Sequence, residues 1–381
     1  KMKKKYIIFF IVTLVLLVTL VTCFNYFKTS NNYVEDSVNN QTKIIKGISM
    51  NLEQTAGAGD YKTVTQSSWP TEGYKFNTEL SRCENGSTLS WDDSKKAVVM
   101  NGNVSDKCYV YFDKVLTLAN YVISQYTGIQ GENSLYYHDS NLANGVGDNS
   151  YRYAGASDSV NNYICLGSDA ATCPDDNLFR IIGVFGAQTK VIRAKSVGNQ
   201  KWDTSSSNKW SSSSLNTYLN GTYLTSLGTL KNKIATTTWK VGGGTPANIS
   251  EVVPATAYKN EVGSSASRTI VNKKIGLMYV TDYYYSASPS AWTLVGYNSS
   301  DTTKDYRVAK TINWLYLGSY EWTISCHSGT SYSAFGVGNL GYVSGYFDVS
   351  TSSAVRPTFN LESSVKYVSG SGSMSDPVRV N

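Results

Sequence analysis

Trp314-Leu315-Tyr316-Leu317-Gly318-Ser319-Tyr320-Glu321-Trp322-Thr323-Ile324-Ser325 and Ala354-Val355-Arg356-Pro357-Thr358-Phe359-Asn360-Leu361 are the two segments whose reading decides the fold. Both are apolar and β-prone. The runs between them, Ala334-Phe335-Gly336-Val337 and Gly341-Tyr342-Val343-Ser344-Gly345-Tyr346, alternate around turn residues. The pattern predicts a closing antiparallel sheet that carries Tyr-rich loops. Upstream, Leu178-Phe179-Arg180-Ile181-Ile182-Gly183-Val184-Phe185 and Lys190-Val191-Ile192-Arg193-Ala194 predict a central hairpin turned at Gly186-Ala187-Gln188. Residues 275–280 predict another buried strand. Tyr283-Tyr284-Tyr285 follow, and three adjacent tyrosines cannot all face the core, so at least one is expected at the surface.

Two helices are expected between these strands. Leu116, Ala119, Val122, Ile123 and Tyr126 fall at helical spacing, with Thr117 as N-cap and Gly128 as stop. Ser211, Ser212, Ser213 and Ser214 offer caps for a second helix, whose apolar face is Leu215, Tyr218, Leu219 and Tyr223, with Leu224 and Leu227 behind.

The chain has 381 residues, of which 41% are hydrophobic and only 16% charged, enough for one large core and a smaller module. Tyrosine is the outlier, at 29 against 11 Phe and 8 Trp, and it offers contact area at low entropic cost. Lys1, Lys3, Lys4 and Lys5 precede an uncharged run over residues 6–24 that matches the length of a membrane span. The expected order is therefore a basic cytoplasmic tail (1–5), a transmembrane anchor (6–24), a polar Asn-rich stalk (25–47), a small disulfide-stapled β module (48–113) and a main domain (114–381). A cleaved signal peptide and lipidation at Cys23 are the alternatives to the anchor. This places the protein in the cell membrane as a single-pass protein, its N-terminus cytoplasmic and its C-terminal domains extracellular.

Without the four leading lysines, 30 basic residues face 28 acidic ones. A nearly neutral ectodomain lacks the basic face that nucleic acid requires, so no nucleic-acid partner is expected. Cys83 with Cys108 and Cys165 with Cys173 are spaced to close loops in an oxidising compartment, which leaves Cys326 as a lone thiol. Only His138 and His327 are available as imidazoles, and neither cysteine pair has zinc spacing, so no metal and no cofactor are expected. Asp139, Asn141, Asn144 and Asp148 suit calcium by residue type, but no Glu closes the loop, and Asx turns explain the composition equally well. Gly242-Gly243-Gly244 lacks the Lys-Ser/Thr of a phosphate loop. Trp91 is read as core.

In order along the chain, residues 179–184, Trp210-Ser211-Ser212-Ser213 with Tyr218-Leu219-Asn220, residues 275–280, Trp322-Thr323-Ile324-Ser325 and Ala354-Val355-Arg356-Pro357-Thr358-Phe359-Asn360-Leu361 resemble a domain-of-unknown-function family. It occurs in surface proteins of Gram-positive gut bacteria and closes on Gly-Val-Arg-Pro-Ala; its Trp-Leu-Arg-Ser-Pro element is matched here only by Trp322 and its neighbours. That family is similar to the C-type-lectin-like fold of formylglycine-generating enzymes and FISUMP-type repeats. The resemblance implies an α+β main domain with two helices on twisted antiparallel sheets, and structural roles for Trp210, Trp314, Trp322, Arg356 and Pro357. The reactive Cys pair of formylglycine-generating enzymes has no counterpart near Cys326, so oxidase activity does not carry over.

No catalytic constellation emerges. Cys326 and His327 are adjacent, and neighbours on a strand point to opposite faces. The expectation is a non-catalytic surface module that binds glycan or protein through Tyr332, Tyr342, Tyr346 and Asp348. A structural envelope protein and a hydrolase of surface glycans are the alternatives.

Overall fold

The computed structural model describes the backbone of residues 33–36 and 42–44, and residues 47–65, 68–70, 73–103, 105–241, 244–263, 269–297 and 305–381. The chain divides between Leu116 and Thr117 into two compact units.

In the first unit, Ile48–Glu53 lies between Tyr61–Val64 and Cys108–Lys114, and Tyr74–Phe76 and Arg82–Cys83 pair with the other edge of Cys108–Lys114. A second sheet runs Thr42–Ile44, Tyr33–Asp36, Ala97–Asn101, Thr88–Asp92. Its first two strands fall where the sequence predicts a stalk; the rest of residues 25–46 lies outside the described residues. Alternation in Cys108–Lys114 turns Val110 and Phe112 into a core with Met50, Leu52, Trp69, Phe76, Val98 and Met100. Trp91 is half-buried, its ring 5.7 Å from that of Phe112. Cys83 stands directly opposite Cys108 in the ladder, and the two are disulfide-bonded.

Among the described residues the larger unit holds a nine-stranded and a five-stranded sheet and one further hairpin, Thr237–Val241 with Thr269–Lys273. The nine-stranded sheet centres on the expected hairpin, observed as Leu178–Phe185 and Gln188–Arg193. Cys165, at the end of the neighbouring strand, is bonded to Cys173. The five-stranded sheet runs Asn199–Lys201, Ser352–Ala354, Glu321–Cys326, Ser333–Val337, Val343–Asp348.

Several expectations need correction. The segments at 314–325 and 354–361 do not close a single antiparallel sheet. Ser352–Ala354 belongs to the five-stranded sheet and Thr358–Leu361 to the nine-stranded one, so the chain changes sheets across Val355-Arg356-Pro357. Both sheets are mixed, with parallel pairs at Ile164–Val378 and Glu321–Ala354. The architecture is α+β, mostly strands with few and short helices, rather than two helices on antiparallel sheets. Thr117 does cap Leu118–Ser124, accepting from the Asn120 N–H, and Ser213 caps Ser214–Tyr218. The second helix then widens into a π turn over Leu219–Tyr223.

The membrane anchor is also corrected. Among the described residues no helix is long and apolar enough to cross a membrane. The longest regular α-helix, Pro254–Glu261, has 8 residues, and the run that passes from Ser214–Tyr218 through the π turn to Leu224–Ser226 also falls short of the roughly 20 that a bilayer core requires. Residues 6–24 and Cys23 lie outside the described residues, and a single-pass membrane location is not supported.

Only Ile275–Gly276 of the segment expected over 275–280 is paired as a strand, and Val280–Tyr285 is helical. The helix explains why all three tyrosines are buried. Successive side chains point about 100° apart, and their hydroxyls donate to three separate carbonyls, those of Gly341, Ile249 and Asn144. The Asp/Asn-rich loop is held by its own turns. Asp139 accepts from the backbone of Asn141 and Leu142, and Asp148 from Ser150, Arg152 and Tyr258. Gly242 and Gly243 lie outside the described residues.

Candidate functional site

The hairpin of Ser333–Val337 and Val343–Asp348 has two ends with different fates. Ser333 sits opposite Asp348 at the open end, and Val337 opposite Val343 beside the turn. The strand Glu321–Cys326 delivers the loop 327–331 to the open end. Asn208 pins that loop, its amide nitrogen donating to the carbonyls of His327 at 2.7 Å, Thr330 at 2.7 Å and Ser333 at 2.8 Å. Gly244 holds it from the other side, bridging to His327 and accepting from the Ser328 N–H at 2.6 Å. A Cβ at Gly244 would stand 2.3 Å from Ile249 Cδ1 and 3.1 Å from the Phe335 ring, so the close approach requires glycine.

These contacts enclose a cleft of about 420 Å³, lined chiefly by Asn208, Trp210, Ser211, His327, Ser328 and Thr330. His327 Nδ1 accepts from the Gly329 N–H at 2.8 Å. A ring nitrogen that accepts carries no proton, so the imidazole is the Nε2–H tautomer and presents a donor. Burial lowers its pKa below the ordinary histidine value and favours the neutral ring. The ring stacks on Phe335 and lies 5.4 Å from that of Tyr346. The Trp210 indole N–H and the Thr330 hydroxyl are buried without a partner. Among the described residues Lys209 is the one charged side chain in the lining. The result is a nearly neutral cleft, rich in hydroxyls, with aromatic faces at its side.

Cys326 also lines the cleft. The accepting nitrogen of His327 is occupied by Gly329, so it does not take the thiol proton in this arrangement.

Of the residues predicted from sequence, Tyr332 follows the cleft loop directly and is 54% exposed, and Tyr346 is 59% exposed beside His327. Asp348 shares their end of the hairpin. It accepts from the Ser350 N–H at 2.8 Å and hydroxyl at 2.7 Å, which hold its carboxyl below the usual range. Tyr342 is separated from them: it lies half-buried at the turn end, 5.9 Å from Tyr297. Trp210, Trp314, Trp322, Arg356 and Pro357 are all buried. The indole N–H of Trp314 donates to Tyr153 O and that of Trp322 to Gln200 O. Arg356 donates through Nε to Glu321 Oε1 at 2.6 Å, and through Nη2 to Glu321 Oε2 at 2.8 Å and Leu315 O at 2.6 Å. Sequence reasoning missed Asn208 and Trp210 as cleft residues. Asn208 sits in an aperiodic Ser/Asn run that carries no signal. The sequence offers His327 as an imidazole for zinc or for the neighbouring thiol, not as a donor in a cleft.

Comparison with known families places the cleft. Residues 187–363 match the family model of a domain of unknown function, DUF6273. No curated protein and no solved structure matches the chain. The DUF6273 region spans the whole five-stranded sheet and every residue of the cleft, whereas Leu178–Phe185, Tyr163–Cys165 and Val378–Val380 of the larger sheet lie outside it.

Proposed function

We propose that the protein is a non-catalytic binding module that recognises a neutral glycan in the cleft between Asn208–Ser211 and the loop 327–331. The observation that carries this reading is the fixed, neutral His327 donor beside the exposed Tyr346 ring. A sugar offers hydroxyls that both donate and accept, and an apolar face that stacks on aromatic rings. Ser211 and Ser328 are complementary to the hydroxyls, and Tyr346, beside His327, to the ring face. The near absence of charge in the lining favours a neutral ligand over an anionic one. The two disulfides, and the resemblance of the closing motif to Gram-positive surface proteins, support action in an oxidising, extracellular setting.

A glycan array probed with the purified protein tests the reading. Binding to a restricted set of neutral glycans is expected, lowered about tenfold by Tyr346→Ala, the loss of one stacking contact with its hydrogen bonds. His327→Phe, which keeps an aromatic ring but removes the donor, is expected to weaken binding as well. An array left blank by protein with native circular dichroism removes the proposal.

A further inference from the structure

Among the described residues of the larger unit four arginines are buried, and three of them have several hydrogen-bond partners. Arg180 donates to Asn162, Ser157, Val160 and Trp314, Arg356 to Glu321 and Leu315, and Arg152 to Ser150 and Asp148. Arg193 differs. Its side chain is 11% exposed, yet its guanidinium pairs only through Nη2 with Asp176, whose side chain is 90% exposed. Its Nε is buried with no acceptor. A buried guanidinium carries five donors and is costly to leave partly satisfied.

Arg193 lines a cavity of about 590 Å³, distinct from the cleft at His327, whose walls include Phe179, Val197, Tyr218, Tyr223 and Leu230. Tyr223 is 6% exposed, and its hydroxyl too is buried without a partner. Burial raises its pKa, so the hydroxyl stays a donor. Arg193, fastened only by an exposed carboxylate, and Tyr223 therefore border one cavity of mixed polar and apolar lining, while the Arg193 Nε and the Tyr223 hydroxyl themselves have no open surface in this arrangement. The Asp176 backbone is tethered: Asn177 exchanges hydrogen bonds with Leu166, and the Cys165–Cys173 disulfide closes the loop just before it. Its carboxylate nonetheless reaches Arg193 from the solvent side.

We propose that this cavity binds a small organic carboxylate, whose carboxyl group takes the place of Asp176 on Arg193 while its carbon body rests against the half-buried Val197, Tyr218 and Leu227. The planar guanidinium fork matches a carboxylate in two-point geometry. Asp176 then acts as an internal stand-in that the ligand must displace. A displaceable partner costs the ligand affinity, and removing it sharpens the site.

The test is titration calorimetry of the intact protein with benzoate and with glucuronate, using methyl benzoate, methyl glucoside and inorganic phosphate as comparators. The expected result is saturable 1:1 binding of at least one carboxylate, tightened in Asp176→Asn. Arg193→Gln is expected to weaken it at least tenfold, in keeping with loss of a charge-assisted pair. Arg193→Lys keeps the charge without the fork and is expected to fall between them, which preserves the test if the glutamine variant fails to fold. Tyr346→Ala, which impairs the glycan cleft, should leave carboxylate binding unchanged, so the two sites fail independently. Absence of carboxylate binding in both the parent and Asp176→Asn overturns the proposal. So does binding that survives Arg193→Gln, and so does phosphate or a neutral ester bound as well as the acid.

Discussion

His138 shows how much one buried imidazole can dictate. It is fully enclosed, with Tyr285 and Trp292 rings 5.0 and 5.2 Å away, and its Nδ1 accepts from the Val146 N–H. Nε2 then carries the proton and has no partner. Burial pushes its pKa down to about 2, while the unfolded chain titrates near 6.5. Between those values the unfolded state binds the proton and the folded state does not. Stability contributed by the neutral ring is thus complete above pH 6.5 and is lost as pH falls below it, by about 1.4 kcal/mol per unit at the limit. His138→Phe keeps the aromatic packing and removes the titration. Its melting temperature should fall less steeply between pH 6.5 and 4.5 than the parent's, and equal slopes would rule out this account. His327 has a lowered pKa for the same reason but belongs to the cleft, so protonating it acts on the donor pattern there. Glycan binding should therefore change on acidification in the parent and not in His327→Phe.

At the scale of elements, the two disulfides act on different units and close loops of different length, with separations of 25 residues for Cys83–Cys108 and 8 for Cys165–Cys173. Loop-closure entropy gives about 3.5 kcal/mol for the longer loop and about 2.5 for the shorter. Replacing both cysteines of a pair by serine should therefore cost the smaller unit more than the larger one, as read by denaturant titration of each variant. An equal or reversed ranking would place the stabilisation elsewhere. These pairs were legible in the sequence because spacing alone suggests closure. The central hairpin was legible too, since apolar runs flank Gly186, which adopts φ +62° at the turn. The helical Tyr283-Tyr284-Tyr285 run was not legible. Its burial depends on carbonyls at Gly341, Ile249 and Asn144, from segments remote in sequence. Half of the candidate site had a signal, the exposed Tyr332 and Tyr346 among turn residues. The other half, Asn208 with Gly244, acts through backbone carbonyls and close approach, which no side-chain pattern records. Tyr342 was grouped with them because chain proximity does not reveal which end of a hairpin a residue occupies.

Across the larger unit, the chain passes from the five-stranded to the nine-stranded sheet at Val355-Arg356-Pro357, and the Arg356 guanidinium fastens that crossing to Glu321 and to Leu315 O. Both partners are nearly inaccessible, at 3% and 1% of side-chain surface. Burial alone raises the Glu321 pKa, and Arg356 opposes it. Arg356→Met leaves a carboxylate in the core without its cation, which should cost about 3–5 kcal/mol. Adding Glu321→Leu should restore most of the loss, because the desolvation penalty of both charges is then removed together. The single variant also carries a pH signature of opposite sign to that of His138. A carboxyl whose folded pKa is raised binds its proton more readily when folded, so its destabilisation of the fold fades as pH falls. Arg356→Met should recover stability relative to the parent between pH 7 and 5, whereas the double variant should not. A single variant that tracks the parent across that range would mean that Glu321 escapes to solvent once its partner is gone, and that the junction between the sheets rests on packing rather than on this ion pair.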